Sequence, residues 1–169
     1  MSKVLIIDTS ILCVFLRVPD MDDCGPDSDK WDYNRVCRKL EKEIMDKSVL
    51  VMPVATMIET GNHIAQANGD KYSAAERLSE IIVKTANEEE PWAAFTAQSP
   101  MWDRENLIRL GKEWPQLAVQ GISIGDATIK DVAEYYAKAG YEVEILTGDV
   151  GLKSYQPINM ETMIPRRRR

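Results

Sequence analysis

Two short runs of consecutive apolar residues and a third that alternates with glutamates interrupt a chain in which apolar positions otherwise recur three and four apart. The first, Val4 to Ile7, is too short for a helix and too apolar for an edge, so it predicts a strand buried on both faces. The second, "SVLVMPV" at residues 48–54, predicts another, closed by Pro53, whose fixed φ suits the opening turn of a helix. The third, "YEVEIL" at residues 141–146, predicts a strand that ends in "TGD". Helical spacing fills the intervals. A short helix is expected at about residues 10–17. Residues 33–47 place Val36, Cys37, Leu40 and Ile44 on one face, and the segment after Pro53 offers Met57, Ile58, Ile64 and Ala65 as a core stripe. Further helices are expected at about residues 73–86 and 103–112, and at Ile129, Val132, Ala133, Tyr136 and Ala137, stopped by Gly140. Strands separated by helices predict an α/β fold with a parallel sheet covered on both faces and a site at its carboxyl edge.

Two stretches break this rhythm. "PDMDDCGPDSDKWD", residues 19–32, is acidic and rich in turn formers, so it reads as a loop or flap. Residues 87–117 hold three of the four tryptophans and are too short for a core of their own, so they read as an insertion in one domain spanning residues 1–165. Residues 166–169 form a basic tail of four arginines.

At 169 residues the chain is long enough to bury one core without disulfides or structural metal. Cys13, Cys24 and Cys37 form an odd set without CxxC spacing, and there is one histidine, which gives zinc and disulfide frameworks little support. No apolar run is long enough to span a membrane and no signal-peptide pattern opens the chain, so a cytoplasmic protein with no membrane partner is expected. A net charge of −6 announces no broad basic face for nucleic acid, yet leaves room for a carboxylate cluster that a divalent cation would neutralise.

Four acids are candidates for such a cluster, and each has an innocent explanation. Asp8 follows the first strand and precedes a helix, where aspartate is a good N-cap. Asp126, in "SIGD", stands at capping-box spacing from Ser123, with Gly125 beside it permitting close approach. Asp149 sits in a Gly-Asp turn. Glu59 lies next to the buried face of a helix, where a solvated flank is the plain alternative. Their joint placement changes the balance, since two end strands of one parallel sheet and two lie in the opening turns of helices on the same side. Converging carboxylates repel, and a hard divalent cation such as magnesium or manganese relieves that repulsion through oxygen ligands. Metal-acidified water attacking a phosphodiester is the chemistry that suits the set.

"IIDTSIL", "PVATMIETG", "DATIKDVAEYYAKAG" and "EVEILTGDVGL", in this order, resemble a PIN-domain nuclease, in particular the small ribonuclease toxins of bacterial VapBC pairs. The resemblance implies a five-stranded parallel sheet flanked by helices and a Mg²⁺- or Mn²⁺-dependent site. Asp8, Glu59, Asp126 and Asp149 would form it, with Ser10 and Thr147 positioning acids or water through their hydroxyls. It further implies an RNA substrate, a homodimer and, for a toxin, a cognate antitoxin whose basic segment enters the acidic groove. The acidic flap and the 87–117 insertion depart from the family pattern.

Smaller signals have bland readings of equal or greater weight. His63, one turn after Glu59, reads as a surface group, and Asp131 as an exposed helix position facing Lys130 and Glu134. Trp92, Trp102 and Trp114 suit stacking on single-stranded RNA, although core or dimer packing is the commoner use of tryptophan. The terminal arginines suit a phosphate backbone or a solvated tail. Two rivals to a metal-dependent endoribonuclease are an inert PIN-like scaffold binding RNA or a partner protein, and phosphoryl chemistry on Asp8. The latter lacks the acidic pair and late lysine of a receiver, and carries Ser10 where an aspartate-nucleophile phosphatase has an acid.

Overall fold

The computed structural model describes residues 1–158; the basic tail at 166–169 lies outside the described residues. The fold is α/β. Its central sheet has three parallel strands, β1 (Lys3–Ile7), β4 (Val49–Val51) and β5 (Glu142–Leu146), in the order β4-β1-β5. Val4 pairs with Val49 on one side of β1 and with Val143 on the other. The resemblance implies five strands, but the remaining two short ones do not join this sheet. They are β2 (Asp23–Cys24) and β3 (Trp31–Asp32), an antiparallel hairpin around a 3₁₀ turn at Asp27–Asp29. The segment read as a loop from its turn formers is therefore an ordered hairpin, too short for a periodic signal to reveal.

Successive residues of β1 face opposite sides, and both sides are covered. Leu5 and Ile7, with Leu50 and Leu146, pack under α1 (Thr9–Phe15), α2 (Tyr33–Met45), α3 (Val54–Gln66) and α4 (Lys71–Ala86). Val4 and Ile6, with Val51, Val143 and Ile145, pack against Ile129, Val132, Ala133 and Tyr136 of α6 (Ile124–Lys138). The apolar runs of β1 and β4 are continuous because both faces are buried, whereas Glu142 and Glu144 interrupt β5.

Helix α3 corrects its expected stripe. The buried positions are Thr56, Thr60 and Ile64, whereas Ile58 is 54% exposed. Two threonines were invisible to an apolar count, and Thr56 is buried because its hydroxyl donates to Ile7 O (3.0 Å), fastening α3 to the end of β1. The insertion is tied to the sheet. Leu50 N donates to Pro91 O and Ala93 N to Leu50 O, both at 2.8 Å, laying Trp92 beside β4. Buried Gln98 accepts from Val54 N (3.1 Å) and donates to Met52 O (2.9 Å), bracing the β4-α3 junction. Helix α5 (Arg104–Val119) buries none of its side chains and lies against α6 through Arg109, whose Nη2 is 3.3 Å from Asp131 Oδ2. Asp131 is thus a packed ion-pair partner, with its side chain only 11% exposed, rather than an exposed helix position. A last short helix, α7 (Val150–Lys153), follows β5.

A candidate active site at the carboxyl edge of the sheet

The main-chain ladder runs one residue past β1, since Asp8 N donates to Leu146 O (3.1 Å). That bond brings the ends of β1 and β5 together and sets Asp8 beside Thr147. Asp8 occupies the N-cap position of α1, yet its side chain makes no capping bond. Its Oδ2 instead accepts from Ser10 Oγ (2.8 Å) and Thr147 Oγ1 (2.7 Å). A buried carboxylate that leaves helix amides for two hydroxyls is placed by tertiary structure, not by local capping. Both hydroxyls bond the same oxygen, and Oδ1 takes no hydrogen bond from the described residues.

The same hydroxyls organise the next loop. Ser10 Oγ accepts from Gly148 N (3.0 Å) and Thr147 Oγ1 accepts from Asp149 N (2.9 Å). Asp149 does cap, its Oδ1 accepting from Leu152 N (3.0 Å) at the start of α7. Ser10 and Thr147 thus link Asp8 to the loop that carries Asp149.

Glu59 comes from α3, where Thr9 Oγ1 donates to its Oε2 (3.0 Å), and it leans against the first turn of α6. A Cβ built on Gly125 would overlap Glu59 Oε1 and stand 3.0 Å from Cδ, so the glycine is the seat of this carboxylate. Asp126 follows in the same turn, its amide capped by Ser123 Oγ (3.0 Å). Burial raises the Asp126 pKa above the usual aspartate range, and the negative charges of Asp8, Asp149 and Glu59 add to the rise while Ser123 opposes it. Asp126 is thus within electrostatic reach of the other three acids at the carboxyl edge. Their ligating atoms do not close into a tight cage: among the described residues, no three His, Cys, Asp or Glu side chains form a group able to hold one ion as they stand.

The flap completes the neighbourhood. A Cβ on Gly148 would stand 2.7 Å from Gly25 N and 2.8 Å from Cys24 Sγ, so the hairpin rests directly on the Thr147–Asp149 loop. Gly25 itself has φ +90, and a Cβ there would meet Asp29 O at 2.6 Å, so glycine is needed on both sides of this contact. Burial pushes the Cys24 thiol pKa up, with the charge of Asp8 adding to the rise and Ser10 opposing it. Thr9, Cys24 and Gly25 belong to the site, and sequence reasoning missed them. A hydroxyl beside Asp8 and a Cys-Gly pair inside an acidic turn carry no periodic signal. His63 is exposed on α3, and of the three insertion tryptophans Trp92 is buried, Trp114 donates to Ile122 O (3.2 Å) and Trp102 is 40% exposed.

A parallel sheet flanked by helices, with four acids around the carboxyl ends of two adjacent strands, defines the coarse class of this molecule as an α/β domain with an acidic edge site. Compared with known proteins, the chain matches no family model, no curated protein and no solved structure. No helix among the described residues is long and apolar enough to cross a membrane.

Proposed function

We propose that the chain is a divalent-metal-dependent endoribonuclease of PIN-like fold that hydrolyses phosphodiester bonds of RNA. The observation that carries this reading is the gathering of Asp8, Glu59, Asp126 and Asp149 around one sheet edge, near enough that the other three charges add to the raised pKa of Asp126. Four acids gathered in this way, with no basic partner among their hydrogen bonds to the described residues, need a counter-charge. The donors are all oxygen, which fits magnesium or manganese rather than a softer metal. Magnesium keeps several waters and takes one or two carboxylates directly, so it does not require all four acids in contact with it.

Asp8, Asp126 and Asp149 would hold the ion, with Asp8 oriented by Ser10 and Thr147 and presenting Oδ1. Such an ion supplies Lewis acidity toward the phosphodiester and lowers the pKa of attacking water. Glu59, braced by Thr9, would complete the shell or orient that water. The resemblance adds a homodimer and an antitoxin as partners, for which α5, with Leu107 and Ile108 exposed beside Trp102, offers an apolar surface.

The test is direct. With Mg²⁺ or Mn²⁺ the protein cuts single-stranded RNA, EDTA stops it, and Asp8→Asn or Asp126→Asn lowers the rate by orders of magnitude; undiminished cutting by both variants refutes the assignment. The separation of the ligating atoms favours one alternative, a PIN-like scaffold that binds RNA or a protein without chemistry. A metal at 100 times its Kd raises stability by about 2.7 kcal/mol. Absence of any thermal shift with either ion would support the scaffold.

A further inference from the structure

We propose that the cleft between the flap and the Asp149 loop is a nucleobase subsite, with Trp31 as its stacking wall. It receives the base of a nucleotide adjoining the phosphate at the acid cluster; in that respect the inference rests on the nuclease reading. The cleft measures about 400 Å³, with Pro26 and Trp31 of the hairpin on one side and Thr147, Gly148, Asp149 and Lys153 on the other. That volume lies within the range of small-molecule sites, which begins at about 300 Å³. Asp149 belongs both to this cleft and to the acid cluster, and Thr147 reaches from the cleft wall to Asp8. An occupant of the cleft therefore lies immediately beside the chemistry.

Trp31 is fixed before any ligand arrives. The Arg35 guanidinium lies 3.8 Å over its ring and is itself held by Asp29 Oδ1 (2.7 Å) and Lys30 O (2.7 Å). A ring immobilised in this way loses little rotamer freedom on stacking. Gly148 and Gly25 hold the hairpin against the loop, so the aromatic wall and the carboxylate keep a constant separation. Among the described residues Lys153 is the one cation lining the cleft, and its ammonium already donates to Ile145 O (2.7 Å) and Gln156 Oε1 (2.8 Å). Glu144 Oε1 stands 3.9 Å from the same ammonium, beyond hydrogen-bond distance, which leaves a proton for a ring nitrogen, a carbonyl or a phosphate oxygen. An aromatic wall with a lysine and the carboxylates of Asp29 and Asp149 around it matches a nucleobase, which brings a stacking face and an edge of both donors and acceptors, whereas a purely apolar ligand would strand those charged groups. Because a paired base within a duplex cannot be splayed into such a cleft, the subsite selects unpaired RNA.

The full chain labelled with 5-fluorotryptophan provides the test. Its four indoles give separate ¹⁹F resonances, and Trp31→Phe assigns the relevant one. On titration with AMP and UMP, the Trp31 resonance is expected to move while those of Trp92, Trp102 and Trp114 stay. A Trp31 resonance that stays put, or a response confined to Trp102, overturns the proposal. In cleavage of single-stranded RNA, Trp31→Ala is expected to raise KM about 5- to 100-fold, more than it lowers kcat, since one stacked base contributes on that scale. Trp31→Phe keeps an aromatic face and restores most of the loss; equal KM for both variants and the native chain also overturns it. Nucleotide shifts at Trp31 in a protein that cuts no RNA would retain the subsite and remove the nuclease reading, whereas cutting with a silent Trp31 would do the reverse.

Discussion

Gly125→Ala separates stability from activity at one atom. Position 125 lies in the first turn of α6, where alanine improves helix propensity by about 1 kcal/mol over glycine. The added methyl would overlap Glu59 Oε1, but that atom is the far end of a flexible side chain and can swing away. Moving it breaks the Thr9 Oγ1 to Glu59 Oε2 bond of 3.0 Å, a loss of about 0.5–1.5 kcal/mol. The two effects nearly cancel, so the melting temperature is expected to shift by no more than about 4 °C. Activity behaves differently, because a displacement of about 1 Å in a positioning group can cost on the order of 100-fold. The assay is Mg²⁺-dependent cleavage of single-stranded RNA alongside thermal melts, for Gly125→Ala, Glu59→Ala and the double variant. If the methyl acts only through Glu59, the double variant matches Glu59→Ala and the two losses do not add. An unimpaired Gly125→Ala beside a crippled Glu59→Ala would refute the reasoning, as would a full additional loss in the double variant.

Two further outcomes follow from groups away from the acids' own oxygens. Glu43 is buried on α2, which by itself raises its pKa, but Lys3 Nζ (2.6 Å), Lys39 Nζ (2.7 Å) and Ser48 Oγ (2.6 Å) outweigh burial and bring it down to about 2 from 4.5. A depressed carboxylate stabilises the fold above its unfolded pKa and loses that contribution as pH falls through the folded one. About 3 kcal/mol is therefore present near neutrality and fades from pH 4.5 toward 2. Urea melts should show the gap between the native chain and Glu43→Gln narrowing through that window; a constant gap would exclude the linkage. Gly148→Ala drives a methyl against Gly25 N, which is main chain and cannot rotate aside, so the flap lifts at an expected cost of about 1–3 kcal/mol. Limited proteolysis within residues 19–32 should accelerate, and unchanged protection would show that the hairpin is not seated there.

The three parallel strands were legible because runs such as Val4 to Ile7 are buried on both faces, which no amphipathic helix imitates. Helix α6 was legible from clean periodicity and Pro53 marked the opening of α3, whereas on α2 the expected face holds at Val36 and Leu40 but Ile44 is 45% exposed and Glu43, drawn in by Lys3, Lys39 and Ser48, is buried instead. The inward face of α3 was misjudged because it is polar, with Thr56 spent on a carbonyl of β1 while Ile58 is left outside. Hairpins of two residues per strand, such as β2 and β3, lie below the length at which alternation can be read. The acids could be nominated from their positions after strands and at helix starts. Their orientation could not, since it depends on hydroxyls at Thr9, Ser10 and Thr147, separated by up to 138 positions and brought together by the Asp8–Leu146 ladder bond.

The insertion that binds Leu50 on both sides of its peptide has a bearing on how copies of this chain treat one another. An open strand edge is a template for foreign strands. Here the outer margin of β4 is taken by Pro91 and Ala93, and on β5 the amide and carbonyl of Ile145 are consumed by Gln156 and Lys153. Self-recruitment along the sheet is thereby blunted at Leu50 on one margin and at Ile145 on the other.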